Sequence, residues 1–214
     1  MARLTRKEKQ AHTRNCLMKA AAKVFARRGL QQASIDEVAE EAGFTKGAFY
    51  ANFKNKEELF LAMLDERFGE RLAEIERIVG GVDAPEESAR QAGDDFTRAV
   101  VADPEWERLF FEFSAYAARN EDFRQELVTR YRSLRGSVAE AYRKRAERDG
   151  IEVPFPIDQI ALMTFAMAKG VALEKLLEPE AVDDELYGTM LMVFFTGLRT
   201  LAAAGETAHS PALP

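Results

Sequence analysis

From about residue 11 the chain places apolar side chains at helical spacing, with Leu17, Ala20, Ala21, Val24 and Phe25 on one face, and this predicts a first helix ending near Gly29. Ser34-Ile35-Asp36-Glu37 has the pattern of a capping box, in which the Ser hydroxyl and the Glu carboxylate satisfy each other's backbone amides. It opens a short helix with Ile35, Val38, Ala39 and Ala42 inward, closed by Gly43. Only Phe44 separates Gly43 from Thr45, which can cap a second short helix from Lys46 to about Phe53. Asn55-Lys56-Glu57-Glu58 starts a long helix whose stripe runs from Leu59 to Val79 and stops at Gly80-Gly81. Further helices are predicted from Pro85 to about Val101, from the Asp103-Pro104 start to about Arg119, from Asp122 to Arg148, over Ile157–Leu177, and from about Asp183 to Ala204. No run alternates as a strand does. The expected fold is therefore all-α, with about nine helices.

These elements group into a basic arm at 1–10, a three-helix module at 11–55, a larger helical domain at 56–204 and a tail at 205–214. Charge sharpens the division. The net charge of −6 conceals a head of +7 over residues 1–56, with 12 Lys+Arg against 5 Asp+Glu, and a body of −13, with 18 against 31. A basic head on an acidic body is expected where one end meets a polyanion, although a solvated basic face has the same composition. The N-terminal stretch lacks the apolar core of a signal peptide, and the apolar run Ile160–Ala168 is too short to span a membrane. The lone Cys16 has no internal disulfide partner. A cytoplasmic protein is expected.

The two short helices joined by Gly43-Phe44-Thr45 form a helix-turn-helix. Around them Ala21 and Phe25, Gly29, Ser34, Ile35, Val38-Ala39, Ala42-Gly43, Thr45-Lys46-Gly47, Phe49-Tyr50, Phe53, Lys56-Glu57 and Leu59 fall at fixed spacings, and residues 14–60 closely resemble the DNA-binding domain of the TetR family of transcriptional regulators. The resemblance covers about a quarter of the chain. It implies an N-terminal helix-turn-helix domain and a C-terminal ligand-binding and dimerisation domain. The residue chemistry agrees. Phe49 and Phe53 are i, i+4 and face inward, while Lys46 and Tyr50 are i, i+4 on another face that is free to enter the major groove. Lys46 can donate to guanine, Ala48 can offer a methyl to thymine, and Gly47 lets backbone approach closely. Ser34, Thr45, Tyr50 and Lys56 are placed to hold phosphates. Ser34 and Thr45 can equally be caps, and Lys56 can equally pair with Glu57 or Glu58. Asn52, which stands where many relatives carry His, is by the same resemblance a further expected DNA contact. Arg3, Arg6 and Lys7 of the arm can reach the minor groove or remain in solvent.

In the second half Trp106, Leu109, Phe110, Phe113 and Tyr116 share a helix face. Such a stripe suits a core or a pocket; the resemblance implies a ligand cavity lined by Trp106, Phe110, Phe113, Tyr116, Phe165 and Met167. Glu112 is expected to pair with Arg108, and Thr164 and Lys169 are polar positions in an apolar stretch that can orient a ligand or bond between helices. The segments at 157–177 and 183–204 carry more apolar surface than one acidic domain needs, which with the resemblance implies a homodimer through these two helices. Operator DNA and a small-molecule effector are the implied partners, with repression relieved by the effector. No metal, cofactor or enzymatic activity is expected, since no metal-ligand spacing, phosphate loop or nucleophile motif occurs, and His12 and His209 lie in the arm region and the tail.

Overall fold

A computed structural model describes residues 5–81 and 85–204. Among the described residues the chain forms nine α-helices and one 3-10 turn, with no strand: α1 (Arg6–Gln32), α2 (Ile35–Glu41), α3 (Lys46–Tyr50), α4 (Lys56–Gly81), α5 (Pro85–Ala102), α6 (Pro104–Ala117), α7 (Glu121–Asp149), α8 (Ile157–Leu177), the 3-10 turn (Pro179–Ala181) and α9 (Leu186–Ala203). The all-α expectation holds. The tail at 205–214 and Arg3 of the arm lie outside the described residues.

The first helix differs from its expected start. Thr5 accepts from the Glu8 amide, and the Glu8 carboxylate accepts from the Thr5 amide at 2.6 Å, so α1 begins at Arg6 and residues 6–10 are helical rather than an arm. At the other end Gly29 takes φ +71°, a conformation that favours glycine, and the helix resumes beyond it to Gln32. Arg27 and Arg28, just before that break, reach Glu41 and Glu37 and tie α1 to α2. Asn55 Oδ1 accepts from the Glu58 amide to open α4, and Asn120 Oδ1 accepts from the Phe123 amide to open α7.

The chain divides into two compact units, Met1–Phe68 with Glu105–Arg130, and Gly69–Pro104 with Tyr131–Pro214. The first therefore contains more than the helix-turn-helix: α6 and the start of α7 belong to it. Its core is aromatic. Phe113 is fully buried, stacked on Phe60 at 3.5 Å between ring centroids and edge-on to Phe25 at 5.9 Å, and Phe123 tilts against both Phe60 and Phe113. Glu112 faces α1 rather than making the expected pair with Arg108. Its Oε1 accepts from the buried Leu30 amide at 2.7 Å, at the bend where Gly29 interrupts the helical bonding.

In the second unit α5 crosses α9 glycine on glycine, with Gly93 against Gly188, and a core of Ala89, Val171, Val182, Tyr187 and Leu191 packs with Phe96, Met167 and Phe195. Arg145 donates to the Val79 carbonyl at 3.0 Å and Arg148 to the Gly80 carbonyl at 3.3 Å, satisfying the end of α4. By length and composition α9 could cross a membrane, and only about a fifth of it is buried. Its buried residues, Tyr187, Gly188, Leu191 and Leu198, form one stripe.

Candidate nucleic-acid interface

The helix-turn-helix is built by local satisfaction of backbone groups. Ser34 Oγ accepts from the Glu37 amide at 3.1 Å, and Glu37 Oε2 accepts from the Ser34 amide at 3.0 Å, which holds the Glu37 carboxyl below the usual carboxylate range. Gly43 closes α2 at φ +74°, with Phe44 N donating to Ala39 O at 2.9 Å. Thr45 Oγ1 then caps α3 by accepting from the Ala48 amide at 3.2 Å. With so tight a turn, α3 has one inward side chain in its five residues, Phe49, which is fully buried and packs on Phe53 at 5.8 Å.

The opposite face is open. Lys46, Gly47 and Tyr50 are exposed, and Tyr50 keeps 52% of its surface in solvent while its ring rests edge-on against Phe49. Lys46 Nζ donates to Asp36 Oδ2 at 2.9 Å, and that hydrogen bond raises the lysine pKa. The expected separation of Phe49 and Phe53 from Lys46 and Tyr50 is present. Ser34 and Thr45 act as caps with their residues exposed at the starts of α2 and α3.

Two of the expected contact residues are placed differently. Asn52, in the turn after α3, directs its amide back onto that helix, donating from Nδ2 to Ala48 O at 2.8 Å, with Oδ1 buried. Its backbone carbonyl accepts from Arg14 at 3.0 Å, and the Arg14 guanidinium lies 4.2 Å over the Phe53 ring. Asn52 and Arg14 thus brace the end of α3 and stand apart from the exposed set. Lys56 pairs with neither Glu57 nor Glu58. Its Nζ donates to Leu30 O at 2.8 Å and Ala33 O at 2.7 Å, joining the start of α4 to the end of α1. Sequence reasoning missed Asp36, although an acid at the second position of a capped helix is visible in the sequence; what could not be seen was that Lys46, ten residues on, would meet it.

The six side chains expected to line a ligand cavity fall in different units. Trp106, Phe110, Phe113 and Tyr116 lie in the first, and Phe165 and Met167 in the second. Phe113 and Tyr116 are engaged with protein groups. Phe113 is packed as above, and Tyr116 OH donates to Glu57 Oε1 at 3.1 Å and accepts from Asn120 Nδ2 at 3.0 Å, with burial the first cause of its raised pKa. Trp106 stacks on Phe60 at 5.9 Å with the Arg67 guanidinium 5.0 Å from its ring. In the second unit Thr164 bonds between helices, joined by Tyr142 OH at 3.3 Å, while Lys169 Nζ sits 3.7 Å from the centroid of the Tyr131 ring. No group of three or more His, Cys, Asp or Glu suited to a metal occurs among the described residues.

Comparison with known proteins matches both parts of the chain. Residues 17–63 match the model of bacterial regulatory proteins of the tetR family, and residues 85–210 match the C-terminal domain of BetI-type transcriptional repressors. The HTH-type transcriptional regulator YfiR of Bacillus subtilis, itself uncharacterised, is 27% identical over 72% of this chain and 76% of its own length. The HTH-type transcriptional regulator TtgR of Pseudomonas putida is 43% identical over 65 residues, 30% of each chain, so this likeness covers less than a third of that protein. Among solved structures, GusR of Salmonella enterica superposes with a TM-score of 0.75 at 21% identity, covering 93% of this chain and all of that one.

Proposed function

On the premise that the chain belongs to the TetR family of bacterial regulatory proteins, we propose that it is a cytoplasmic repressor that binds a near-palindromic operator as a homodimer and leaves it when a small, largely apolar or aromatic effector binds. The observation that carries this reading is the division of α3 into a buried Phe49 and an exposed Lys46–Tyr50 face, held by caps at both ends of the turn. A short helix presented in this way can enter a major groove with its first turn against base edges. Lys46, Gly47, Ala48 and Tyr50 are the proposed contacts, with Ser34 and Thr45 at phosphates. Lys56 contributes at most the one N–H its internal bonds leave over.

The dimer reading draws on apolar surface left uncovered on α8 and α9. Leu162, Met163, Leu173 and Leu177 are exposed on α8, Leu186 and Val193 on α9, with Leu177 71% and Val193 62% accessible. Two such faces closing on their copies would remove that surface from water and place two recognition helices on one duplex. The effector reading rests on the aromatic and methionine-rich composition of α6 and α8 and on the family. Binding of the effector and of operator would be reciprocally coupled.

The test is selection of bound duplexes from a random pool. The expected result is an inverted repeat with half-sites roughly 34–36 Å, one helical turn, apart or a multiple of it, and affinity that falls steeply with salt. Absence of any enriched sequence would remove the reading. Effector titration of the chain with and without the selected duplex should then return equal coupling factors.

A further inference from the structure

The carboxylates of α2 are used in two directions. Glu37 pairs with Arg28, and Glu41 pairs with Arg27 and Lys23, all on α1. Asp36 instead reaches forward to the recognition helix, its Oδ2 2.9 Å from Lys46 Nζ. Both partners remain largely in solvent, at 65% for the Asp36 side chain and 53% for Lys46. An exposed pair of this kind adds little to fold stability. It does put a negative charge against the cation best placed to meet a base, on the same exposed side as Tyr50.

We propose that Asp36 is a specificity-determining residue for DNA: it holds the Lys46 ammonium and thereby disfavours binding that uses phosphate contacts alone. The proposal rests on the DNA-binding reading above. When Lys46 swings to a phosphate, Asp36 loses its counter-charge while standing within a Debye length, roughly 8 Å at physiological salt, of the duplex anions. That arrangement is repulsive on any sequence. A site with a guanine for Lys46 and a cytosine beside it removes the repulsion, because Lys46 donates to guanine O6 and N7 while the Asp36 carboxylate accepts from cytosine N4–H. Matched sites thus satisfy both charges, and unmatched sites strand one of them. Discrimination arises as much from the penalty on the wrong duplex as from the gain on the right one.

The experiment compares the selected duplex with a scrambled one of equal length, by fluorescence anisotropy at fixed salt, for the unmodified chain, Asp36→Asn and Asp36→Glu. Asp36→Asn should lower the ratio of selected to scrambled affinity about tenfold, within the range expected for one base discriminated by a side chain, mainly by strengthening scrambled binding. Asp36→Glu should keep most of the ratio. Repeating the selection with Asp36→Asn should lose the preference at one C·G pair in each half-site. A ratio unchanged or raised by Asp36→Asn, including the case where both affinities rise equally, overturns the proposal, as does an identical selected motif. If the unmodified chain enriches no sequence, the DNA-binding reading fails and takes the proposal with it. If it does enrich one and Asp36→Asn behaves identically, only the role of Asp36 falls.

Discussion

Lys56 Nζ donates to two main-chain oxygens of its own chain, which leaves one of its three N–H donors for anything outside. Lys56→Met removes both bonds and leaves the Leu30 and Ala33 carbonyls without their ammonium. The expected cost is about 1–3 kcal/mol, read as a fall of roughly 2–4 °C in melting midpoint per kcal/mol for a chain of this size, in the absence of DNA. A midpoint unmoved by Lys56→Met would return the residue to a purely DNA-facing role. Lys169 makes a different prediction. Burial, with Arg135 adding repulsion, pushes its pKa down from 10.5 to about 8. The folded state therefore holds fewer protons than the unfolded one between about pH 8 and 10.5, and stability attributable to this group rises with pH across that window. Lys169→Met should flatten that rise in melts taken from pH 8 to 10.5, and identical slopes would contradict the burial of the ammonium beside Arg135.

Among the elements, the α5–α9 crossing depends on two missing side chains. A Cβ on Gly93 would run into the Gly188 backbone, and one on Gly188 would stand 2.8 Å from the Arg90 carbonyl oxygen. The Asp94 carboxylate, whose Oδ1 stands nearer still to that Gly188 Cβ at 2.5 Å, can turn aside, but the main-chain obstacles at both glycines cannot, so the helices must separate. Gly188→Ala should destabilise by about 1–3 kcal/mol through overpacking, although alanine normally favours a helix interior over glycine by roughly 1 kcal/mol. Denaturant titration checks the sign, and a stabilised variant would refute the close crossing. The same scale shows which element boundaries were legible. Ser34 to Glu37 and Asn55 to Glu58 announced their helices because caps are short-range chemistry. Thr5 to Glu8 repeats the Ser34 pattern, and the start of α1 at Arg6 could have been read from it. The Glu112 bond to the Leu30 amide spans 82 positions, and helical periodicity along α6 holds no information about it.

For the molecule as a whole, the uncovered apolar stripe on α8 and α9 is the feature with the largest consequence. Val193→Arg combined with Leu162→Glu would place charge on both helices where they are exposed now, so the single chain should still fold. On the proposed dimer, the expected outcome is sedimentation at 24.0 kDa in place of twice that mass, with affinity for the selected duplex falling at least tenfold because two half-sites could no longer be bound together. An unmodified chain that already sediments at 24.0 kDa would remove the dimer from the account. Charge at this scale was readable directly: a +7 head and a −13 body follow from counting, and salt-dependent binding by the head alone is the corresponding expectation.

Helical class, the order of nearly all the helices, the tight turn between α2 and α3, and the inward and outward faces of α3 all follow from linear order, since caps, turn glycines and the 3.6-residue period act over a few positions. Folding settled the partners that lie far apart or that compete: Lys56 on the end of α1, Asn52 turned back onto α3, Glu112 at the Gly29 bend, Phe113 filled against Phe60, and Lys46 held by Asp36. A side chain with several donors or acceptors has many possible partners along a chain, and which one it meets depends on how helices are laid against each other in space.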